Sequence, residues 1–190
     1  PHAPYRYGLG VRRLKLDEVV ISLARAHPNV TVHEEVRVDG VLKENGRAVG
    51  LNTRAGEFYG RLVIGADGRG SMVRHQLGLD AEPPKRQRWG IRAHFTFSDP
   101  ARVGDFVEVY KNTFGELYTT PVGPHELLVA LLMEKRDMER FGGKLEQGYR
   151  DYLNQFQHLK ARFADAQQCS PVMACGPLAC AATQPYTNGA

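Results

Sequence analysis

The sequence predicts an α+β protein with a mixed, mainly antiparallel sheet, and three observations carry that prediction. Apolar residues recur at three- and four-residue spacing over about residues 14–27, which is typical of an amphipathic helix. Over residues 30–66 the period becomes two, with Asn45-Gly46 as a strong hairpin signal. Beyond Trp89, strand-like pieces alternate with short turns, which is the spacing of an antiparallel meander.

The first predicted element is the helix over residues 14–27, which follows a loop and ends before a proline. Leu16, Val20 and Leu23 form its apolar face, and we expect this face to pack inward. Asp17 and the acidic residue after it are expected in the first turn, where the helix dipole favours negative charge.

The alternating region is predicted to contain a short strand, a hairpin excursion and a return strand. Residues 30–36 form the short strand, and residues 36–53 form two strands joined at the Asn-Gly turn. The apolar run at residues 61–65 is expected to be a buried strand. Residues 70–79 then form a short helix.

A boundary is predicted over residues 80–90, where two prolines and a charge cluster interrupt any apolar period. Near-helical spacing returns over residues 137–165, with an interruption at Gly142-Gly143. Residues 166–190 are rich in small residues and are predicted to be irregular. The four strands predicted between the boundary and the helical region cover residues 89–97, 105–112, 115–123 and 125–133.

The composition excludes several classes of protein. With 42% hydrophobic and 24% charged residues, the chain of 190 residues suffices for one core or two small ones. No apolar run reaches the roughly 20 residues of a membrane span. The net charge of +4 comes from scattered cations, so the basic cluster at residues 85–88 is interpreted as a solvated loop. We therefore expect no nucleic-acid partner and no membrane span, and the oligomeric state stays open.

Cysteines and histidines do not predict a metal site. Cys169, Cys175 and Cys180 lack the spacing of zinc ligands or a disulfide framework, and small buried or idle thiols fit a reducing compartment. A cytoplasmic location is therefore expected. The seven histidines lie far apart in sequence. His94 shares one face of a predicted strand with Arg92, and that face is interpreted as solvent-exposed rather than as a pocket wall.

The stretch at residues 61–79 contains the main candidate ligand-binding residues. An apolar run breaks at glycines that flank Asp67, and a basic helix-like segment follows. Such a junction allows a ligand to approach the backbone, and the helix start is expected to offer unpaired amides to a pyrophosphate. Ser71 is placed to cap or donate, and Arg69 and Arg74 add positive charge. Asp67 either accepts from ribose hydroxyls or holds the amides of its own loop, and both interpretations stay open.

This stretch resembles the internal Asp-Gly motif of the FAD-dependent aromatic-hydroxylase superfamily. That superfamily includes single-component flavoprotein monooxygenases and geranylgeranyl-reductase-like oxidoreductases. The motif runs strand–G-A-D-G–x–x–S–x–V–R, and this chain matches it at each named position. The resemblance implies FAD binding and engagement of NAD(P)H as co-substrate by Gly65, Asp67, Gly68, Ser71 and Arg74.

A second match lies upstream, where the superfamily places an arginine at a helix start in the pattern R-x-x-L-x-x-x-L. Arg13, Leu16 and Val20 occupy those places. The resemblance implies that Arg13 reaches the flavin cofactor. Arg12 is an adjacent competitor, so a register shifted by one residue stays open.

The resemblance also implies a domain organisation. Residues 1–80 correspond to part of a Rossmann-like FAD-binding domain, residues 81–165 to a substrate domain, and residues 166–190 to a return toward the FAD-binding domain. The superfamily's Gly-rich pyrophosphate loop and its G-D-A motif have no counterpart in this sequence. We therefore expect an interior fragment that is inactive by itself.

The function implied for the parent chain is that of an FAD-dependent oxidoreductase. A monooxygenase that uses NAD(P)H and dioxygen on a small hydrophobic or aromatic substrate is favoured. The alternative within the class is a geranylgeranyl-reductase-like enzyme that reduces an isoprenoid double bond. A non-enzymatic ligand-binding module on a degenerate fold is the alternative of another class. No catalytic acid–base pair is predicted, since a flavin supplies the redox chemistry.

Overall fold

A computed structural model of the chain describes residues 7–190, which divide into two compact units. The smaller unit contains residues 23–85 and 179–190. The larger unit contains residues 7–22 and 86–178. Each unit has its own cluster of buried apolar side chains.

The first helix, α1, spans Arg13–Ala26, close to the predicted range. The prediction that its apolar face packs inward is wrong. No residue of α1, all of which the structure describes, is buried, and Leu23 is 69% exposed. The expected acidic first turn is also wrong, because a helix that begins at Arg13 places Asp17 in its second turn. The helical period was read correctly, but nothing in the described chain covers the face that the period defines.

The smaller unit is built on a three-stranded antiparallel sheet in the order β1-β2-β3. The predicted hairpin is confirmed, since Asn45 and Gly46 both have positive φ, at 49° and 77°, and join β1 to β2. Such a turn matches the twist of the strands that flank it. The short helix α2 follows, within the predicted range. The elements are β1 Val38–Glu44, β2 Arg47–Thr53, β3 Gly56–Tyr59 and α2 Met72–Gln76.

Two strands predicted for this unit do not form. Residues 30–36 and 61–65 are outside all strands of the structure. Val63 is buried and its amide donates to the carbonyl of Gly189 at 2.8 Å, whereas Leu62 and Ile64 are exposed. Neither segment pairs with a strand among residues 7–190, and an apolar run without a partner has no ladder of hydrogen bonds to make it a strand.

The larger unit contains the predicted meander, and all four of its strands are confirmed. These four strands pair antiparallel in the order β5-β6-β7-β4, and two short later strands, β8 and β9, each pair with β4. A short 3-10 helix, Pro100–Arg102, precedes β5. The strands are β4 Arg88–Thr96, β5 Glu108–Asn112, β6 Gly115–Gly123, β7 Glu126–Glu134, β8 Gln167–Gln168 and β9 Met173–Cys175.

The helical region after the meander is divided into three short helices. The first break falls where Gly142 and Gly143 take positive φ values of 56° and 77°, as the sequence predicted. The helices cover one face of the sheet, and the hydroxyl of the buried Tyr149 donates to the carbonyl of Val129 at 2.9 Å. The helices are α3 Lys135–Glu139, α4 Leu145–Leu153 and α5 Gln157–Lys160.

The two faces of the large sheet differ. On β4, Ile91, Ala93 and Phe95 point to the helix-covered face and are buried. Alternate positions such as Arg92 point to the other side, which we call the open face. No helix in residues 7–190 is long and apolar enough to cross a membrane.

Candidate functional site

The motif loop is shaped by glycines at the two positions that need them. Gly68 has φ of 80°, a conformation that side-chain-bearing residues rarely adopt. Gly65 lies against α2 so closely that an added Cβ would be 2.9 Å from the side chain of Val73. The loop and the start of α2 therefore form one packed unit.

The carboxylate of Asp67 binds the loop to which it belongs. One oxygen accepts from the amides of Met72 at 2.7 Å and Val73 at 3.2 Å. The other accepts from the hydroxyl of Ser71. Of the two interpretations open for Asp67, the structure shows the one in which it holds the amides of its own loop.

These contacts set the charge of Asp67. Partial burial by itself raises the pKa of Asp67, but hydrogen bonds from Ser71 and from the amides of α2 outweigh it and leave the pKa lowered. The carboxylate is therefore a fixed negative charge at the start of α2, where the helix dipole favours it.

The start of α2 does not offer the free amides that the sequence suggested. Ser71 caps the helix, and its hydroxyl oxygen accepts from the amide of Arg74 at 3.0 Å. Together with the two amides bound by Asp67, the first three helical amides are occupied. The expectation that they bind a pyrophosphate is wrong, because side chains of the loop already satisfy them.

Arg74 is held in place on the other side of the helix. Its Nε donates to Asp80 at 2.6 Å, and one Nη donates to the carbonyl of Arg69 at 3.0 Å. The hydrogen bond that Arg74 donates to Asp80 raises the pKa of Arg74, and the same hydrogen bond lowers the pKa of Asp80. The imidazole of His75 shares the same carboxylate at 2.7 Å. The arginine is therefore a positioned cation.

Four of the predicted site residues meet at one small cavity. Gly65, Gly68, Ser71 and Arg74 line a space of about 200 Å³ within the smaller unit. Residues of the chain's last segment close it, among them Gln184 and Pro185. Pockets for whole small molecules usually measure roughly 300–1,000 Å³. This cavity is smaller, and it is lined by two glycines, a hydroxyl and a guanidinium among other residues.

The two arginines at the start of α1 have different surroundings. Arg13 is bonded to Asp17 by Nε at 2.9 Å and by Nη2 at 3.1 Å, and its side chain is 77% exposed. This hydrogen bond raises the pKa of Arg13. Arg12 instead forms an ion pair at 3.0 Å with Glu126 at the start of β7. Arg13 is thus available at the surface, and Arg12 is part of the larger unit's structure.

Glu126 connects Arg12 to a buried histidine that sequence reasoning placed in solvent. His94 is 5% exposed, and its Nδ1 lies 2.9 Å from the same oxygen of Glu126 that binds Arg12. Its Nε2 lies 3.4 Å from Nη1 of Arg92. The solvent interpretation is therefore wrong for His94. The alternation of Arg92 and His94 along the strand was the available signal, but their partners lie far away in sequence.

The cysteines and the possible metal ligands give simpler results. Cys169, Cys175 and Cys180 are free, and all three are exposed rather than buried. Among residues 7–190, no three His, Cys, Asp or Glu side chains come close enough together to hold a metal ion.

The contacts of Asp67 predict a pH-dependent contribution to stability. Asp67→Asn should lower the free energy of unfolding of the smaller unit by about 1 kcal/mol at neutral pH, a usual value for a lost helix cap. Because the folded pKa is lowered, this contribution is present above the unfolded pKa of about 3.9 and is lost as the pH falls through the folded pKa.

Urea denaturation at neutral and at acidic pH measures this difference. Asp105→Asn, at an exposed loop position of the other unit, is the matched control and should have no effect. A difference between wild type and Asp67→Asn that stays constant with pH would contradict the assigned cap.

Known proteins resemble this chain in structure rather than in sequence. No family model and no curated protein matches the sequence. The structure of the myxobacterial chondrochloren halogenase CndH, an FAD-dependent halogenase, has a TM-score of 0.84 and 18% identity over 100% of this chain. The chain has the fold of FAD-dependent flavoproteins. This confirms, at the level of fold, the resemblance to the flavoprotein superfamily and the predicted α+β class.

Two further structures with this fold represent the two kinds of protein that the sequence resemblance named, a monooxygenase and a geranylgeranyl-reductase-like protein. PqsL from Pseudomonas aeruginosa, described as a probable FAD-dependent monooxygenase, has a TM-score of 0.58 and 17% identity over 85% of the chain. A geranylgeranyl bacteriochlorophyll reductase-like protein from Thermoplasma acidophilum has a TM-score of 0.68 and 19% identity over 86%. The chain covers 46%, 46% and 42% of CndH, PqsL and the reductase-like protein, so it spans less than half of each.

Proposed function

We propose that this chain is part of an FAD-dependent oxidoreductase, and that the whole protein is a monooxygenase using NAD(P)H and dioxygen. The observation that carries the proposal is the cavity at which Gly65, Gly68, Ser71 and Arg74 meet, within a chain that has a flavoprotein fold. These residues, with Asp67 behind them and Arg13 on α1, are proposed to contribute to the FAD site.

The proposed roles follow from the contacts of each residue. FAD, when bound, supplies the redox chemistry that side chains lack. Gly65 and Gly68 line the cavity and carry no side chain of their own, so a ligand can approach their backbone. Arg74, held by Asp80, presents positive charge to an anionic or polar group. Asp67 keeps the loop in one conformation by binding the amides of α2.

An open cleft in the larger unit supports a hydrophobic substrate. Its volume is about 950 Å³, within the usual range for small-molecule sites. Leu9 and Phe106 line it and are 79% and 77% exposed. Its wall is fixed where Gly10 meets β6, since an added Cβ on Gly10 would be 2.1 Å from the carbonyl oxygen of Pro121. The lining comes from residues 7–10, 100, 103–107 and 120–124.

The free cysteines favour a reducing compartment, and we propose the cytoplasm. A second candidate function is the reduction of an isoprenoid double bond. The structural likeness to the reductase-like protein and the apolar lining of the cleft favour it.

The experiment uses the whole protein, purified with FAD and incubated with NAD(P)H and labelled dioxygen. A monooxygenase consumes dioxygen and transfers the label to the product. A product that gains two hydrogen atoms without oxygen, under anaerobic conditions, assigns the reductase function instead. A whole protein that takes up no FAD would refute both and leave a non-enzymatic ligand-binding module.

A further inference from the structure

A second cavity of the larger unit lies on the helix-covered side of the sheet, where α4 and α5 meet β4 and β8. Its volume is about 330 Å³, which is within the usual range for small-molecule sites. None of its lining residues lines the cavity at Gly65 and Gly68 or the open cleft described above. It is therefore a separate candidate site, on the side of the sheet opposite to the open face.

The inner wall of this cavity is apolar and partly aromatic. Phe95 and Leu159 are only 8% and 5% exposed and belong to the core of the larger unit, and both line the cavity. The rings of Phe95 and Phe163 pack edge to face, with 5.4 Å between their centroids. Leu153 and Ala166 add further apolar surface. An aromatic ligand suits such a wall, because the edges and faces of aromatic rings attract one another.

The chain segment that carries Phe163 and Ala166 is held in place from outside the cavity. Nη1 of Arg102, in the 3-10 helix, donates to the carbonyl of Ala161 at 3.0 Å and to the carboxylate of Asp165 at 2.6 Å. The amide of Ala166 donates to the carbonyl of Phe163 at 3.2 Å. This wall is therefore formed before any ligand arrives, which reduces the entropic cost of binding.

The rim of the cavity carries an excess of positive charge. Arg150 donates to Glu146 at 3.2 Å, and Gln168 donates to the same oxygen at 2.8 Å, so this carboxylate offsets one cation. Lys160 is exposed at the rim, and within residues 7–190 no carboxylate pairs with it. In the same part of the chain the side-chain amide of Asn154 has no partner either. An acidic group at the rim would meet an ammonium group and an amide donor that the fold does not use.

We propose that this cavity binds a small aromatic acid, with its ring against Phe95 and Phe163 and its carboxylate at Lys160. The apolar wall complements the ring, and the excess positive charge of the rim complements the acid. Binding here requires neither FAD nor the oxidoreductase activity. The protein would then have a small-molecule site on each side of the large sheet.

The test is a titration of the chain with 2-naphthoate, followed by nuclear magnetic resonance of the backbone amides. The amides of Leu153, Leu159 and Phe163 should shift saturably. The neutral counterpart 2-naphthamide should bind about tenfold more weakly, since it loses the charge-assisted hydrogen bonds. Acetate has the charge without the ring and should give no saturable shift at these amides.

Two variants test the two parts of the site. Ala166→Met places a longer side chain at a partly buried position of the wall, so it should occupy the cavity and weaken naphthoate binding by about tenfold or more. Lys160→Gln should weaken binding only about threefold to fivefold, because an exposed ion pair contributes little. Lys15→Gln, at an exposed helical position of the same unit, removes the same charge and should change nothing.

Several results would overturn the assignment. Shifts that increase linearly without saturation would show nonspecific contact, and equal affinity for naphthoate and naphthamide would exclude recognition of the acid. Unchanged binding to Ala166→Met, with the variant shown to be folded by urea denaturation, would exclude the cavity. Equal effects of Lys160→Gln and Lys15→Gln would exclude Lys160. If naphthoate binds as expected while the whole protein takes up no FAD, only the proposed function fails.

Discussion

Arg13→Ala should weaken FAD binding to the whole protein by roughly one to two orders of magnitude, while the stability of the chain stays within about 0.5 kcal/mol of wild type. The first part follows from the proposed contact, since a hydrogen bond to a charged or polar group is usually worth about 1.5–3 kcal/mol. The second follows from the structure, because the side chain of Arg13 is 77% exposed and, within residues 7–190, its hydrogen bonds go to Asp17, one turn away in α1.

Arg12→Ala is the matched variant. We expect it to have much less effect on FAD binding than Arg13→Ala, but to reduce the stability of the larger unit. It removes the ion pair with Glu126, whose side chain is 20% exposed, and leaves the contact of that carboxylate with Nδ1 of His94. A lost hydrogen bond at a partly buried charged group costs about 1–3 kcal/mol, so the larger unit should lose stability by about that amount. FAD titration and chemical denaturation of both variants separate the two roles. If Arg12→Ala impairs FAD binding more than Arg13→Ala, the register of the superfamily pattern is shifted by one residue.

Leu127→Ala should destabilise the larger unit by about 2–5 kcal/mol, the usual cost of removing a fully buried leucine side chain. Leu127 is 0% exposed and lies on β7 within the helix-covered core. Its neighbour Leu128 points to the open face and is only partly buried, so Leu128→Ala should cost about 1 kcal/mol.

Urea denaturation of Leu127→Ala and Leu128→Ala measures both losses of stability. Equal losses of stability in the two variants would contradict the assignment of the faces.

The sequence predicted the hairpin of the smaller unit and the meander of the larger unit well, because the signals of both are local. Turn residues such as Asn45-Gly46 fix a hairpin within a few positions, and the four strands of the larger unit are each bounded by such signals. The break of the helical region at Gly142-Gly143 is of the same kind, since positive φ ends a helix wherever it occurs.

The errors share a different physical origin. A strand needs a neighbouring strand, and the apolar runs at residues 30–36 and 61–65 have none among the described residues. The apolar face of α1 has the correct period, but a period says nothing about what covers it. Local pattern therefore gave the correct type for α1 only, and it did not show that the two predicted strands lack a partner among the described residues.

In the candidate site too, residues close together in sequence were predicted, and contacts between distant residues were not. Asp67, Ser71 and Arg74 were predicted together because they lie within eight residues of one another in sequence. The structure brings Ser71 and Arg74 to one cavity with Gly65 and Gly68, whereas Asp67 binds the amides of its own loop. Arg12, His94 and Glu126 were not predicted as a group, since each contact joins residues that are separated by at least one whole element. A buried histidine gives no local signal of its partner.

The three exposed thiols can carry labels that report on the arrangement of the two units. Cys180 belongs to the smaller unit, whereas Cys169 and Cys175 belong to the larger one. Maleimide-linked spin labels or fluorophores would attach at these positions without engineered substitutions, and single Cys→Ser variants would select which pair is observed. Distances between Cys169 and Cys180 then measure directly how the units are arranged in solution, and whether a flavin or a substrate changes that arrangement.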